Sequence, residues 1–201
     1  MSTEQTQQAE LTALAPQRIL SVRGTIPVAQ LGNAMGERLA GLAAALTAQG
    51  LQASGPVFAR YHSFDPAGDT DVEHGVPVAG TAVSAGQVSA GELPSGDAVS
   101  VWHTGDHTTL GQTYGKMGAK VQESGRVPAG PPWEEYHWID LNRFDTDAAS
   151  WGREQCVDVA RPPRPAAKVG VAASNAPEIG CIIVPESCDT RAITTPTGDA
   201  P

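Results

Sequence analysis

Apolar residues along this chain alternate, then recur at helical spacing, and the same order returns further on. In QRILSVRGTI (17–26), Ile19, Leu20, Val22 and Ile26 mark a first strand. Pro27 stands where a first helical turn tolerates proline. Val28, Leu31, Met35, Leu39, Leu42 and Leu46 then recur every three or four residues, which predicts one helix over 28–49 that stops at Gly50. GPVFARYHSF (55–64) reads as a strand opened by Gly55-Pro56. The turn-rich PAGDTD and a strand through Val76 and Val78 follow.

The second pass begins at Gln87. Residues 87–104 predict a strand, a Pro-Ser-Gly-Asp turn and another strand. Asp106 is a candidate N-cap for a helix over 107–123, whose face carries Leu110, Tyr114, Met117 and Val121. GPPWEEYHWIDL (130–141) is the strand that closes it. GPVFARYH (55–62) and GPPWEEYH (130–137) carry Gly, Pro, Tyr and His at the same offsets, and Phe58 aligns with Trp133. Two halves, 17 to about 84 and 85 to about 162, are therefore expected to pair about a pseudo-twofold axis, with a concave site at their seam. Residues 1–16 are polar and Gln-rich and read as a flexible leader. Residues 163–201 are rich in Pro and Ala and read as a partly disordered appendage in which IGCIIVP is the only ordered-looking piece.

Charge and composition narrow the function classes. The net charge of −9 argues against non-specific nucleic-acid binding, which needs a basic face. The N-terminus lacks the basic flank and apolar run of a signal peptide, and no stretch reaches the roughly 20 apolar residues of a membrane span. A cytoplasmic protein with no membrane partner is the expectation. Cys156, Cys181 and Cys188 form no Cys-x-x-Cys pair. His103 and His107 straddle a helix start, and His62 and His137 lack a third ligand, so no metal site is expected. No Gly-x-Ser-x-Gly elbow accompanies the Ser, His and Asp residues, and Cys156 reads as a small core residue in a predicted QCVDVA strand. No cofactor is implied.

An ordered set of motifs runs along the chain: Arg23-Gly24, Gly55-Pro56 with Tyr61, DVEHGVPV (71–78), Leu93-Pro94-x-Gly96, His103-x-Gly105, Leu110 and Tyr114, and Gly130-Pro131-Pro132-x-Glu134-x-Tyr136. Together they resemble the GyrI-like small-molecule-binding domain family, the effector-binding domain of many MerR- and AraC-type regulators that also occurs free-standing. DTDAASWGREQCVDVARP (145–162) resembles the family's closing acidic loop and last strand, so the domain is expected over 17–162. Two positions depart: His107 replaces a frequent aromatic, and Gly118-Ala119-Lys120 stands where a tryptophan is frequent. The resemblance implies an α+β fold of two strand–helix–strand–strand units. Their strands would form one curved antiparallel sheet, with two helices on one face and a ligand cleft on the other. No helix-turn-helix precedes the domain, so direct DNA binding is not expected; nothing in the sequence fixes an oligomeric state.

The resemblance maps the family's Glu-x-Tyr onto Glu134 and Tyr136. Strand alternation puts Glu134, Tyr136 and Trp138 on one face and Trp133, Glu135 and His137 on the other. A carboxylate walled by aromatics is costly to bury unless a ligand cation or hydrogen-bond donor pairs with it. A surface strand end with two solvated glutamates, or with Glu135 paired with a lysine, is the alternative. Tyr61 is a candidate for the opposite wall or a half-buried core tyrosine, and Trp102 is a ligand contact or a packing residue, with its face left open by alternation alone. Three functions compete: a free-standing binder that sequesters or senses aromatic, cationic compounds such as drugs or toxins; a hydrolase of strained electrophiles that uses Glu134 as base and Tyr136 as donor; and a protein-interaction role such as gyrase inhibition.

Overall fold

A computed structural model of the chain describes residues 8–104, 109–137, 139–143 and 178–187. Ten strands and two helices are present among them: β1 (Glu10–Leu14), β2 (Gln17–Pro27), α1 (Leu31–Gln49), β3 (Gln52–Ala53), β4 (Val57–Phe64), β5 (Asp69–Ala79), β6 (Ser89–Leu93), β7 (Gly96–Thr104), α2 (Leu110–Ser124), β8 (Val127–Pro128), β9 (Trp133–Tyr136) and β10 (Glu178–Ser187). The fold is α+β with a mostly antiparallel sheet, as the resemblance implies.

The helices end as the sequence dictates. Gly50 sits at φ 63 and its N–H reaches the Leu46 and Thr47 carbonyls, and Gly125 does the same work at φ 69 for α2. A 3-10 turn over Val28–Gln30 occupies the start of the predicted first helix. Asp106, the expected cap of the second, lies outside the described residues, and Thr109 occupies the N-cap position.

The sheet runs β1-β7-β10-β9-β4-β5-β2-β6, with β3 on β5 and β8 on β10. Read outward from the central β9–β4 pair, the order on one side is β4-β5-β2-β6 and on the other β9-β10-β7-β1. In that central pair Ala59 stands opposite Glu134. These two residues hold the same offset in the GPVFARYH and GPPWEEYH segments, the relation a two-fold axis between the segments requires. Strands β6 and β7 are six places apart along the path but are joined by Pro94 and Ser95 alone. Three Cα steps reach only about 11 Å, whereas six strand spacings in a flat sheet span roughly 29 Å. The two ends of the path therefore approach each other at this turn.

Two expectations are corrected. Residues 10–14, read as part of a flexible leader, form β1 and pair with β7 from Glu10–Ser100 to Leu14–Gly96. Residues 178–187, placed in a partly disordered appendage, form β10 between β7 and β9. β10 fills the third-strand position of the second half. That place was expected for QCVDVA (155–160), which lies outside the described residues. The β-rich IGCIIVP core of β10 carries the period-free apolar run of a strand with neighbours on both edges.

The two faces bury different residues. On one, Leu39, Leu42, Ala43 and Leu46 of α1 pack on Leu20, Val22, Val57, Ala59, Val72, Val76 and Tyr136, and Met117 of α2 packs on Val99 and Val101. Arg38 ties α1 to the sheet, donating to the Val72 and Gly24 carbonyls at 3.0 and 3.2 Å and to His74 Nδ1 at 3.1 Å. On the other face, Ile19, Phe58, Leu93, Ala98 and Trp133 gather from five strands. The Phe58 ring lies over Gly75, its cross-strand partner, where a Cβ would stand 2.5 Å from Phe58 Cζ and 2.8 Å from the Leu20 carbonyl oxygen. Only glycine fits there.

Candidate functional site

Period-two alternation in β9 decides which way each functional side chain points. Trp133 packs with Phe58 on the face away from the helices, so Glu134 and Tyr136 point to the helix-bearing face. Across the ladder, Ala59 opposes Glu134 and Val57 opposes Tyr136, which places Tyr61 on that same face two residues further along β4. Tyr114 descends onto it from α2.

Three hydroxyls converge on one carboxylate. Tyr136 Oη donates to Glu134 Oε2 at 2.6 Å, Tyr114 Oη to Oε1 at 2.8 Å, and Tyr61 Oη to Oε2 at 3.4 Å. Glu134 is 3% exposed. Burial, then the Glu134 charge, push all three phenols well above the usual tyrosine range. They consequently stay protonated and act as donors throughout the working pH range. Among the described residues no Lys, Arg or His is ion-paired with Glu134. Among the described residues the arrangement is a carboxyl group in an aromatic-walled, low-dielectric setting, partnered by hydroxyl dipoles rather than by a cation.

The expected cleft was on the face opposite the helices; Glu134, Tyr136 and Tyr61 are instead on the helix side, between the sheet and α2. The physical reason is the pairing of Trp133 with the second apolar cluster, which fixes the pleat. Trp102, expected as a ligand contact or a packing residue, stands apart from these side chains. It is 42% exposed and its ring lies 4.9 Å from that of His137, on the face away from Glu134. Ala98 in the far-face cluster and Val99 and Val101 against Met117 set that side of β7. Trp138 lies outside the described residues. Glu135 is directed away from Glu134, accepting from Trp133 Nε1 at 3.3 Å and standing 3.2 Å from His137 Nε2.

Tyr114 is the site residue that the reading of strands missed. Its period with Leu110, Met117 and Val121 marked it as facing the sheet, and the helix-to-strand register that puts its hydroxyl on Glu134 is a tertiary fact. The histidines form no metal centre among the described residues. His62 Nε2 is 3.0 Å from Glu73 Oε2, and His103 Nδ1 is 2.7 Å from Thr113 Oγ1. His107 lies outside the described residues. No helix among the described residues is long and apolar enough to cross a membrane.

Comparison with known proteins bears on the family and the fold. The family model described as GyrI-like small molecule binding domain matches residues 7–147. The chain is similar to the EcmrR C-terminal domain, at 19% identity and a TM-score of 0.61, covering 90% of this chain and 98% of that one. It is similar to EcmrR in its DNA complex, at 20% identity and a TM-score of 0.60, covering 90% of this chain and 57% of that one. A hydrolase encoded by lin2189 from Listeria innocua is similar at 13% identity and a TM-score of 0.51, over 90% of this chain and 92% of that one. At these identities the likeness is one of fold. A search of curated proteins found no match.

Proposed function

This chain belongs to the GyrI-like small molecule binding domain family, and on that premise we propose that it captures aromatic cations at Glu134, as a sequestering or sensing protein. The observation that carries the reading is a carboxylate that is almost wholly buried, served by three tyrosine donors and by no basic side chain among the described residues. Hydroxyl dipoles offset only part of the cost of removing a carboxylate from water. A ligand cation supplies the missing opposite charge, and the tyrosine rings favour a flat or cationic partner. Tyr61 holds Oε2 with the longest of the three bonds, so it is the donor most easily replaced by a ligand.

The test compares N-methylquinolinium with neutral 1-methylnaphthalene by calorimetry. Glu134→Gln keeps the shape and removes the charge. Affinity for the cation should fall by about 1.5–3 kcal/mol, the range for a hydrogen bond to a charged group, while the neutral probe binds equally well. Glu135→Gln and Trp102→Ala are controls that should change neither, because both side chains lie on the other face. Equal loss from Glu134→Gln and Glu135→Gln would sink the assignment. In the hydrolytic reading, Glu134→Gln spares binding and lowers turnover of a strained electrophile by roughly 10²–10⁴, the contribution of a general base.

A further inference from the structure

The sheet face turned away from the helices carries a second feature that the Glu134 site does not use. One cross-strand row there contains Arg23 of β2, Glu73 of β5, Arg60 of β4 and Trp133 of β9, each paired in register with the next. Asp71 and His62 flank the row. The charges in it are unevenly matched. Arg23 grips Asp71 through Nε at 3.0 and 3.2 Å and Nη2 at 2.6 Å. His62 Nε2 stands 3.0 Å from Glu73 Oε2. Among the described residues Arg60 has only a long contact, Nη1 to that same Glu73 oxygen at 3.9 Å.

A guanidinium has five N–H donors in a fixed fork. The Arg60 side chain is only 16% exposed, and its Nε is a buried donor without a hydrogen-bond partner among the described residues. At 3.9 Å Glu73 is beyond hydrogen-bond reach, and its nearer oxygen is already held by His62. Buried donors are nearly always satisfied, so an orphaned one marks either strain or a missing partner. Burial and the neighbouring Arg23 charge both disfavour the Arg60 cation, opposed by Glu73 alone. An incoming anion at the exposed end of the guanidinium supplies the opposite charge that Glu73 meets only at long range.

We propose that Arg60 is the anchor of an oxyanion site on this face, separate from the Glu134 site, that takes a carboxylate or phosphate group through its guanidinium fork. The planar fork accepts two oxygens of either group side by side, a geometry that a lysine ammonium cannot reproduce. Trp133 stands opposite Arg60 in the ladder and the arginine side chain is largely buried, so its charge is screened by water less than that of a solvated surface arginine.

The experiment follows the Arg60 Nε–Hε NMR resonance of the full chain during titration with sodium phosphate and, separately, sodium acetate, at constant ionic strength set by chloride. A saturable shift with a dissociation constant below about 10 mM for at least one probe is expected. The tighter of the two identifies the oxyanion. Arg60→Lys, which keeps the charge and the fold, should weaken binding by about 10-fold or more, read from backbone amides of β4 and β5. Arg60→Gln should abolish it, and Glu134→Gln should leave it unchanged. The absence of a saturable shift for both probes up to about 100 mM overturns the proposal. So does binding that Arg60→Lys leaves undiminished, or binding that Glu134→Gln removes.

Discussion

Acidification should weaken this fold through His74. The side chain is 1% exposed, beneath α1, and its Nδ1 accepts from Arg38 Nη1 at 3.1 Å. Because an arginine only donates, the proton of the neutral ring sits on Nε2. Protonating Nδ1 would break that bond and set two cations together in a dry site. Burial, and then the Arg38 charge, lower the His74 pKa from 6.5 to about 3. The unfolded chain therefore takes up a proton near pH 6.5, while the folded chain does not until about pH 3. Between those values the unfolded state binds more protons, so stability falls as pH falls. The full shift corresponds to about 5 kcal/mol, and by about pH 4.5 roughly 3 kcal/mol is lost. For a chain of this size that lowers Tm by about 6–12 °C. Urea unfolding measured from neutral to acidic pH for the wild type and for His74→Gln isolates the effect, since carboxylate titration is common to both. The difference between the two should be flat above about pH 7 and should steepen below it toward about 1.4 kcal/mol per pH unit. Parallel curves would refute a neutral, buried His74.

Two further outcomes follow from the sheet. A chain ending at residue 170 lacks β10 and leaves β7 and β9 without their shared neighbour, so cooperative urea unfolding should disappear; a midpoint equal to that of the full chain would remove β10 from the sheet. Gly75→Ala should cost about 1–3 kcal/mol, the range for overpacking, because the added Cβ meets the Phe58 ring and the unyielding Leu20 carbonyl. Phe58→Leu in the same chain should recover part of that loss in a double-mutant cycle.

Much of the fold is legible in the residues themselves, because local rules decide it. The three-and-four spacing from Leu31 to Leu46 and the left-handed glycine at Gly50 fix α1 without reference to any partner. The matched GPVFARYH and GPPWEEYH segments announce two strands in equivalent places, and they stand side by side with Ala59 opposite Glu134. Alternation separates Glu134 from Glu135, and the two do point to opposite faces. What alternation cannot supply is which face meets the helices, since a strand has the same pattern whichever side is up. That choice rests on Trp133 joining Phe58 and Ile19 in the far cluster, residues brought together from β9, β4 and β2. It puts Glu134 and Tyr136 on the helix side and parts Trp102 from them. The hydroxyl of Tyr114 reaches Glu134 only through the packing of α2 on β7, and β10 is summoned from beyond the matched segments because the second half needs a strand between β7 and β9. Periodicity governs what each segment is; long-range pairing, in which residues far apart in the chain share one buried surface, governs where each side chain acts.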